Sequence, residues 1–157
     1  RLAYRPSVLY INGEYWGIYS LIENIKKDEN RVNVHTMSNF DDQEPFIEGG
    51  YIFKRDRGEQ LIQTQSEVPI VPVYPDEAKI TEAQINWLEG YLNAMENSLS
   101  FELNSFQNYA DLTSFTDNFL FVEGFKNIDG YRLSTYFFKD RGNKICAAPV
   151  WDFSWGD

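Results

Sequence analysis

An α+β fold is predicted for this 157-residue chain from three observations. Both ends carry hairpin patterns, the middle carries two helical periodicities, and strands and helices come in separate runs. The length suits one domain with a real core, or most of a larger one. With 12 Phe, 10 Tyr and 4 Trp, apolar surface to bury is plentiful.

Each element has a local cause. Residues 8–22, VLYINGEYWGIYSLI, read as a hairpin turning at Asn12-Gly13, because both positions tolerate positive φ and match the twist of paired strands. The polar stretch 24–42 is expected to be loop with a short helix. A strand is expected in GGYIFKRDR, entered through Gly49-Gly50. From Gly58 to Lys79, Pro69, Pro72 and Pro75 predict irregular chain with only short extended pieces. Thr81 and Gln84 form a capping box, and Leu88, Tyr91, Leu92, Met95 and Leu99 then recur at helical spacing. Gly90 weakens that helix by about 1 kcal/mol against Ala. A second helix is expected from the cap Asp111 to about Phe125, with Leu112, Phe115, Phe119 and Val122 on one face. Leu120 and Phe121 widen its apolar zone, which predicts a central helix. Finally, Tyr131–Lys139 and Lys144–Val150 are strand-like and joined by the turn DRGN.

Charge narrows the function classes. The net charge is −10, whereas a duplex-binding protein needs a basic footprint, so nucleic acid is not an expected partner. A nucleotide remains compatible if a divalent cation neutralises its phosphates. The single cysteine, Cys146, forbids an internal disulfide and sits in an apolar run, so a buried thiol is expected. His35 has no cysteine or second histidine for a zinc site and is expected to be solvated. No run of 18 apolar residues occurs, so direct membrane insertion is not expected of this chain. Its abrupt ends, RLAYRPS and WGD, read as cuts through something longer.

The last hairpin places two acids symmetrically. Asp129 precedes its first strand and Asp152 follows its second, 23 residues later. Because paired strands lie roughly 4.8 Å apart, both carboxylates should emerge at the ribbon's open end, about 5–10 Å from each other. One could hold a divalent metal while the other orients or deprotonates a hydroxyl. Protein kinases follow this logic, with a loop aspartate, a short hairpin, and a metal-binding aspartate followed by Phe; here Phe153 follows Asp152. The alternative is that Asp129 heads a turn in NIDG and Asp152 caps the next segment.

Two stretches resemble the spore coat protein H (CotH) kinase-like family. The first is YINGEYWGIYSLIENI, with Asn12, Gly13, Tyr15, Gly17, Tyr19 and Glu23; the second is KNIDGYRLSTYFFKDRGNKICAAPVWDFSWGD. The resemblance implies a partial, atypical protein-kinase-like fold, made of a hinge hairpin, central helices and a catalytic-loop hairpin. Residues 1–157 would then be one partial domain, truncated at both ends. It implies ATP as phosphoryl donor, Mg²⁺ as cofactor, and a protein substrate with Ser or Thr hydroxyls. It also implies an extracytoplasmic setting, on a cell surface, secreted or in a spore coat. Asp129 would be the catalytic aspartate, Asn127 would hold its loop, and Asp152 would be the metal ligand. Glu23, Asn24 and Ile25 would form the hinge that meets adenine, and Lys54 would be a phosphate partner; read by themselves, Glu23 is a solvated strand end and Lys54 an ordinary strand lysine with a solvated head. Kinases carry a metal-binding Asn five residues after the catalytic aspartate, and Ser134 stands there instead, a ligand only weakly or through water.

A glycine-rich loop and a Lys–Glu pair are missing ahead of the first hairpin, so the chain alone is expected to bind ATP poorly. The rival expectation is a non-catalytic surface or adhesion module with a protein or glycan partner, suggested by Ser134 and the aromatics Trp16 and Trp155. A two-carboxylate hydrolase is a third possibility, but no sugar-subsite pattern frames either aspartate.

Overall fold

The computed structural model describes residues 4–57, 61–101 and 103–153; Trp155 and residues 58–60 lie outside them. β1 (Tyr4–Ile11) and β2 (Glu14–Ile22) pair antiparallel through the predicted two-residue loop. Asn12 and Gly13 take φ of 53° and 87°, the conformation this pair was expected to supply. The hairpin forms a sheet of its own. Its apolar side chains stand in the open, with Trp16 55% and Ile18 72% exposed.

The second sheet has five strands, all antiparallel, in the order β4-β5-β3-β6-β7. They are β3 (Tyr51–Arg55), β4 (Ile62–Gln63), β5 (Pro69–Tyr74), β6 (Thr135–Lys139) and β7 (Ile145–Cys146). Side chains alternate along β3, as strand pleating requires. Tyr51 and Phe53 join Leu88, Leu92, Ile62 and Ile145 in one core, beneath the helix α1 (Glu82–Phe101). Ile52 faces the other way, into a smaller core with Ile25, Val32 and Val34. Both sheet faces are therefore covered, one by a helix and one by the chain following β2.

The capping box at α1 is reciprocal: Gln84 N donates to Thr81 Oγ1 at 3.3 Å, and Thr81 N donates to Gln84 Oε1 at 3.2 Å. The helix α2 (Leu112–Gly124) starts as expected, with Asp111 accepting from Ser114 N at 2.8 Å.

Several expectations need correction. No helix forms within 24–42; Asp28 accepts from Asn30 N at 3.0 Å and folds the chain into a turn closed by a Lys27–Val32 bridge. β5 is a regular six-residue strand despite Pro69 and Pro72. β4 pairs only with Pro69 and Ile70, and Pro72 sits beside a bulge opposite Phe53, so the absent N–H groups break little of the ladder. α2 is not central among the described residues: Val122 is buried, but Leu112, Phe119, Leu120, Phe121 and Phe125 are exposed. Periodicity reports how apolar a helix is, not whether a partner covers it. The last hairpin is shorter than predicted, because Arg132 N and Leu133 N both donate to Asp129 O and turn the chain before β6. Cys146 is only half-buried, and burial pushes its thiol up. His35 is exposed as expected, yet its Nδ1 lies 2.9 Å from Asp140 Oδ1.

Candidate active site

The register of β3 against β6 explains where the site forms. Arg55 pairs with Thr135, so the chain leaving β3 runs beside the chain entering β6. Asp56 and Arg57 thereby meet Ser134, although some 80 residues separate them in sequence. Together with Asp129, Arg132 and Asp152 they line an open cavity of about 490 Å³.

The loop bearing Asp129 is fixed from several sides. At the end of α2, Asn127 N donates to Val122 O at 2.9 Å and Gly130 N donates to Asn127 O at 3.0 Å. Gly130 lies against Val122, where an added Cβ would come within 2.6 Å of a methyl group; the close approach requires glycine. Thr135 Oγ1 donates to Gly130 O at 2.9 Å, and Arg55 Nη1 donates to Tyr131 O at 2.7 Å. Asn127 is buried and joins the two acidic segments. Its Nδ2 donates to Asp152 O at 3.2 Å, while its Oδ1 accepts from Asp129 N at 3.4 Å.

The acid side chains have different neighbours. Asp129 Oδ1 receives both Nη2 and Nε of Arg132, at 2.8 and 3.1 Å. Asp152 Oδ2 accepts from Ser134 Oγ at 3.3 Å. Ser134 and Asp152 both take φ of 53°, the left-handed region that non-glycine residues rarely occupy. Two such residues in contact at one cavity mark a place where backbone strain accompanies a site.

The structure therefore brings Asp129, Asn127, Ser134 and Asp152 together. Lys54 stands one step away: its ammonium pairs with Asp56 Oδ2 at 2.8 Å and lies over the Tyr136 ring at 5.8 Å. Its side chain is largely covered and ion-paired, unlike the solvated strand lysine expected. Burial pushes the Tyr136 phenol up, with Lys54 opposing and Asp56 and Asp152 adding to the rise. Glu23 and Asn24 line a different cavity, which shares no residue with the first. Ile25 is buried in the smaller core, and its N donates to Asn24 Oδ1 at 2.8 Å. Asp56, Arg57 and Arg132 were missed at the sequence level. The pairing of β3 with β6 has no local signal, but Arg132 at three residues past Asp129 could have been noticed.

Among the described residues, no group of three or more His, Cys, Asp or Glu side chains could hold a metal alone. Magnesium in phosphoryl-transfer sites needs only one or two carboxylates, with phosphates and water completing its shell. The hydroxyl of Ser134 against the Asp152 carboxylate is a hard-oxygen pair and fits that demand. No helix among the described residues is long and apolar enough to cross a membrane. No curated protein and no solved structure matches the chain. The model of a family described as CotH kinase protein matches residues 2–156, nearly the whole chain, which carries an α+β architecture consistent with a partial kinase-like fold: the chain belongs to the CotH kinase family.

Proposed function

We propose that the chain is the part of an atypical protein kinase that transfers a phosphoryl group from ATP to a Ser or Thr hydroxyl of a protein. The observation that carries this reading is the shared cavity of Asp129 and Asp152, bridged by the buried Asn127. Asp129 is the group that accepts or orients the hydroxyl proton. Arg132 holds its Oδ1 and leaves Oδ2 outside that fork. Asp152 and Ser134 are the residues that would hold Mg²⁺, which when bound neutralises the charge on the phosphates. Lys54 supports the cavity wall through Asp56. Glu23 and Asn24, in the separate cavity after β2, are the proposed contacts for adenine, and Ile25, buried with its N–H held by Asn24, anchors that segment to the smaller core. The proposed setting is extracytoplasmic, on a surface, secreted or in a spore coat.

A second reading, a non-catalytic adhesion module with a protein or glycan partner, draws on the exposed hairpin and Trp16. The two separate experimentally in the full-length protein. Asp129→Asn and Asp152→Asn should each abolish ATP-dependent phosphorylation, and calorimetry should show Mg-dependent ATP binding. Retained phosphorylation in either variant rejects the residue assignment. Heat with a glycan and none with ATP favours the module.

A further inference from the structure

A cavity of about 490 Å³ opens where the chain leaves β2, and Glu23, Lys26, Asp28 and Arg31 are among the residues that line it. Arg31 is its unusual member. Its side chain is only 10% exposed, yet Nε and Nη2 are buried with no hydrogen-bond partner. The Glu23 carboxylate stands off, with Oε2 4.0 Å from Nε, beyond hydrogen-bond reach.

A guanidinium does not shed its proton at any ordinary pH. A buried one whose Nε and Nη2 donate to nothing, with Glu23 only at ion-pair distance, therefore carries a desolvation cost that is incompletely compensated. The two orphaned nitrogens lie side by side on one edge of the group, with parallel N–H bonds. That edge matches the paired oxygens of a carboxylate or phosphate. The chain uses the same edge at Arg132, where Nε and Nη2 converge on Asp129 at 3.1 and 2.8 Å. Elsewhere in the lining, Lys26 and Asp28 pair with each other at 3.3 Å.

We infer that this cavity is an oxyanion-binding site, with the Nε–Nη2 edge of Arg31 taking a carboxylate or phosphate group of a small ligand. It goes beyond the kinase reading: Glu23 and Asn24 of this cavity are that reading's proposed adenine contacts, but the inference stands on Arg31, which that reading does not use.

The test follows the Nε–H signals of the arginines by NMR in the full chain. Inorganic phosphate and acetate are titrated separately against chloride at constant ionic strength. The Arg31 signal should shift saturably in the millimolar range, and the unfolding temperature should rise along the same curve. Saturation by phosphate alone identifies a phosphate site, by acetate alone a carboxylate site, and by both a general oxyanion site. Arg31→Lys keeps the charge and loses the fork, so affinity should fall about tenfold or more. Glu23→Gln removes the competing carboxylate and should tighten binding. If Arg31→Lys fails to fold, the wild-type signal decides alone. No saturable shift with either anion, or equal shifts at every arginine, overturns the inference.

Discussion

Ser134 follows Asp129 by five residues, the spacing of the metal-binding asparagine in the proposed kinase reading, and takes a left-handed conformation that serine tolerates poorly. Asparagine is among the residues most at ease there. Left-handed strain at a non-glycine residue costs on the order of 1 kcal/mol. Ser134→Asn should therefore leave stability unchanged or raise it by up to about 1 kcal/mol, as read from urea unfolding midpoints. It also adds an amide oxygen beside Asp152, so on the proposed kinase reading phosphorylation at limiting magnesium should increase in the full-length protein. A clear drop in the midpoint would show that the serine hydroxyl's contact with Asp152 outweighs the backbone relief. The convergence of Asp129, Asn127 and Asp152 was legible because each belongs to one compact hairpin and its flanks. Asp56 and Arg57 were not, because only the distant pairing of two strands carries them to the site.

At the scale of elements, the legible parts were those whose causes are local. The caps of both helices and the Asn12-Gly13 turn are set by side chains within three residues of the backbone they satisfy. β5 was illegible because its prolines argue against a strand until the short reach of β4 is known. The turn between β6 and β7 shows how a loop far away is fastened to such an element. Asp140 accepts from the His35 amide at 2.8 Å and meets its ring at 2.9 Å, tying the segment after β2 to the sheet. Burial alone would push the Asp140 carboxyl up, but the His35 amide and ring, with the Arg141 amide, outweigh it and hold the group below 3.8. A carboxyl lowered in the folded state binds protons more weakly there than in the unfolded chain. Its stabilisation is complete above 3.8 and is lost as the pH falls through the lower folded value. The unfolding midpoint should therefore drop below that pH. His35→Ala should flatten the acid decline, since the ring's share of the tether is gone, while the exposed ring leaves the core untouched. An identical acid limb in both proteins would refute the ring's part in the tether.

Among the described residues, the molecule divides into a sheet with two covered faces and a hairpin with almost none. The family match extends through the proline-rich middle that the motifs at the two ends had left silent, and that middle supplies β5 and the packing for Leu88 and Leu92. The β1–β2 hairpin was the easiest element to read, yet its burial could not be read at all: apolar strands predict that something packs on them and do not say what. A two-stranded ribbon in water is marginal at best, whereas β3 is hydrogen-bonded on both edges and carries residues that are essentially inaccessible, such as Ile52 and Phe53. The two sheets should thus open with different free energies. Amide hydrogen exchange of the chain should find β3 and β6 protected to the limit of global unfolding. The amides of β1 and β2 should exchange through local opening, faster by orders of magnitude and with little response to mild denaturant. If the hairpin instead matched the protection of β3, its exposed aromatic and aliphatic faces would have to be covered in solution. Self-association would then be the first cause to examine, by repeating the exchange across a dilution series.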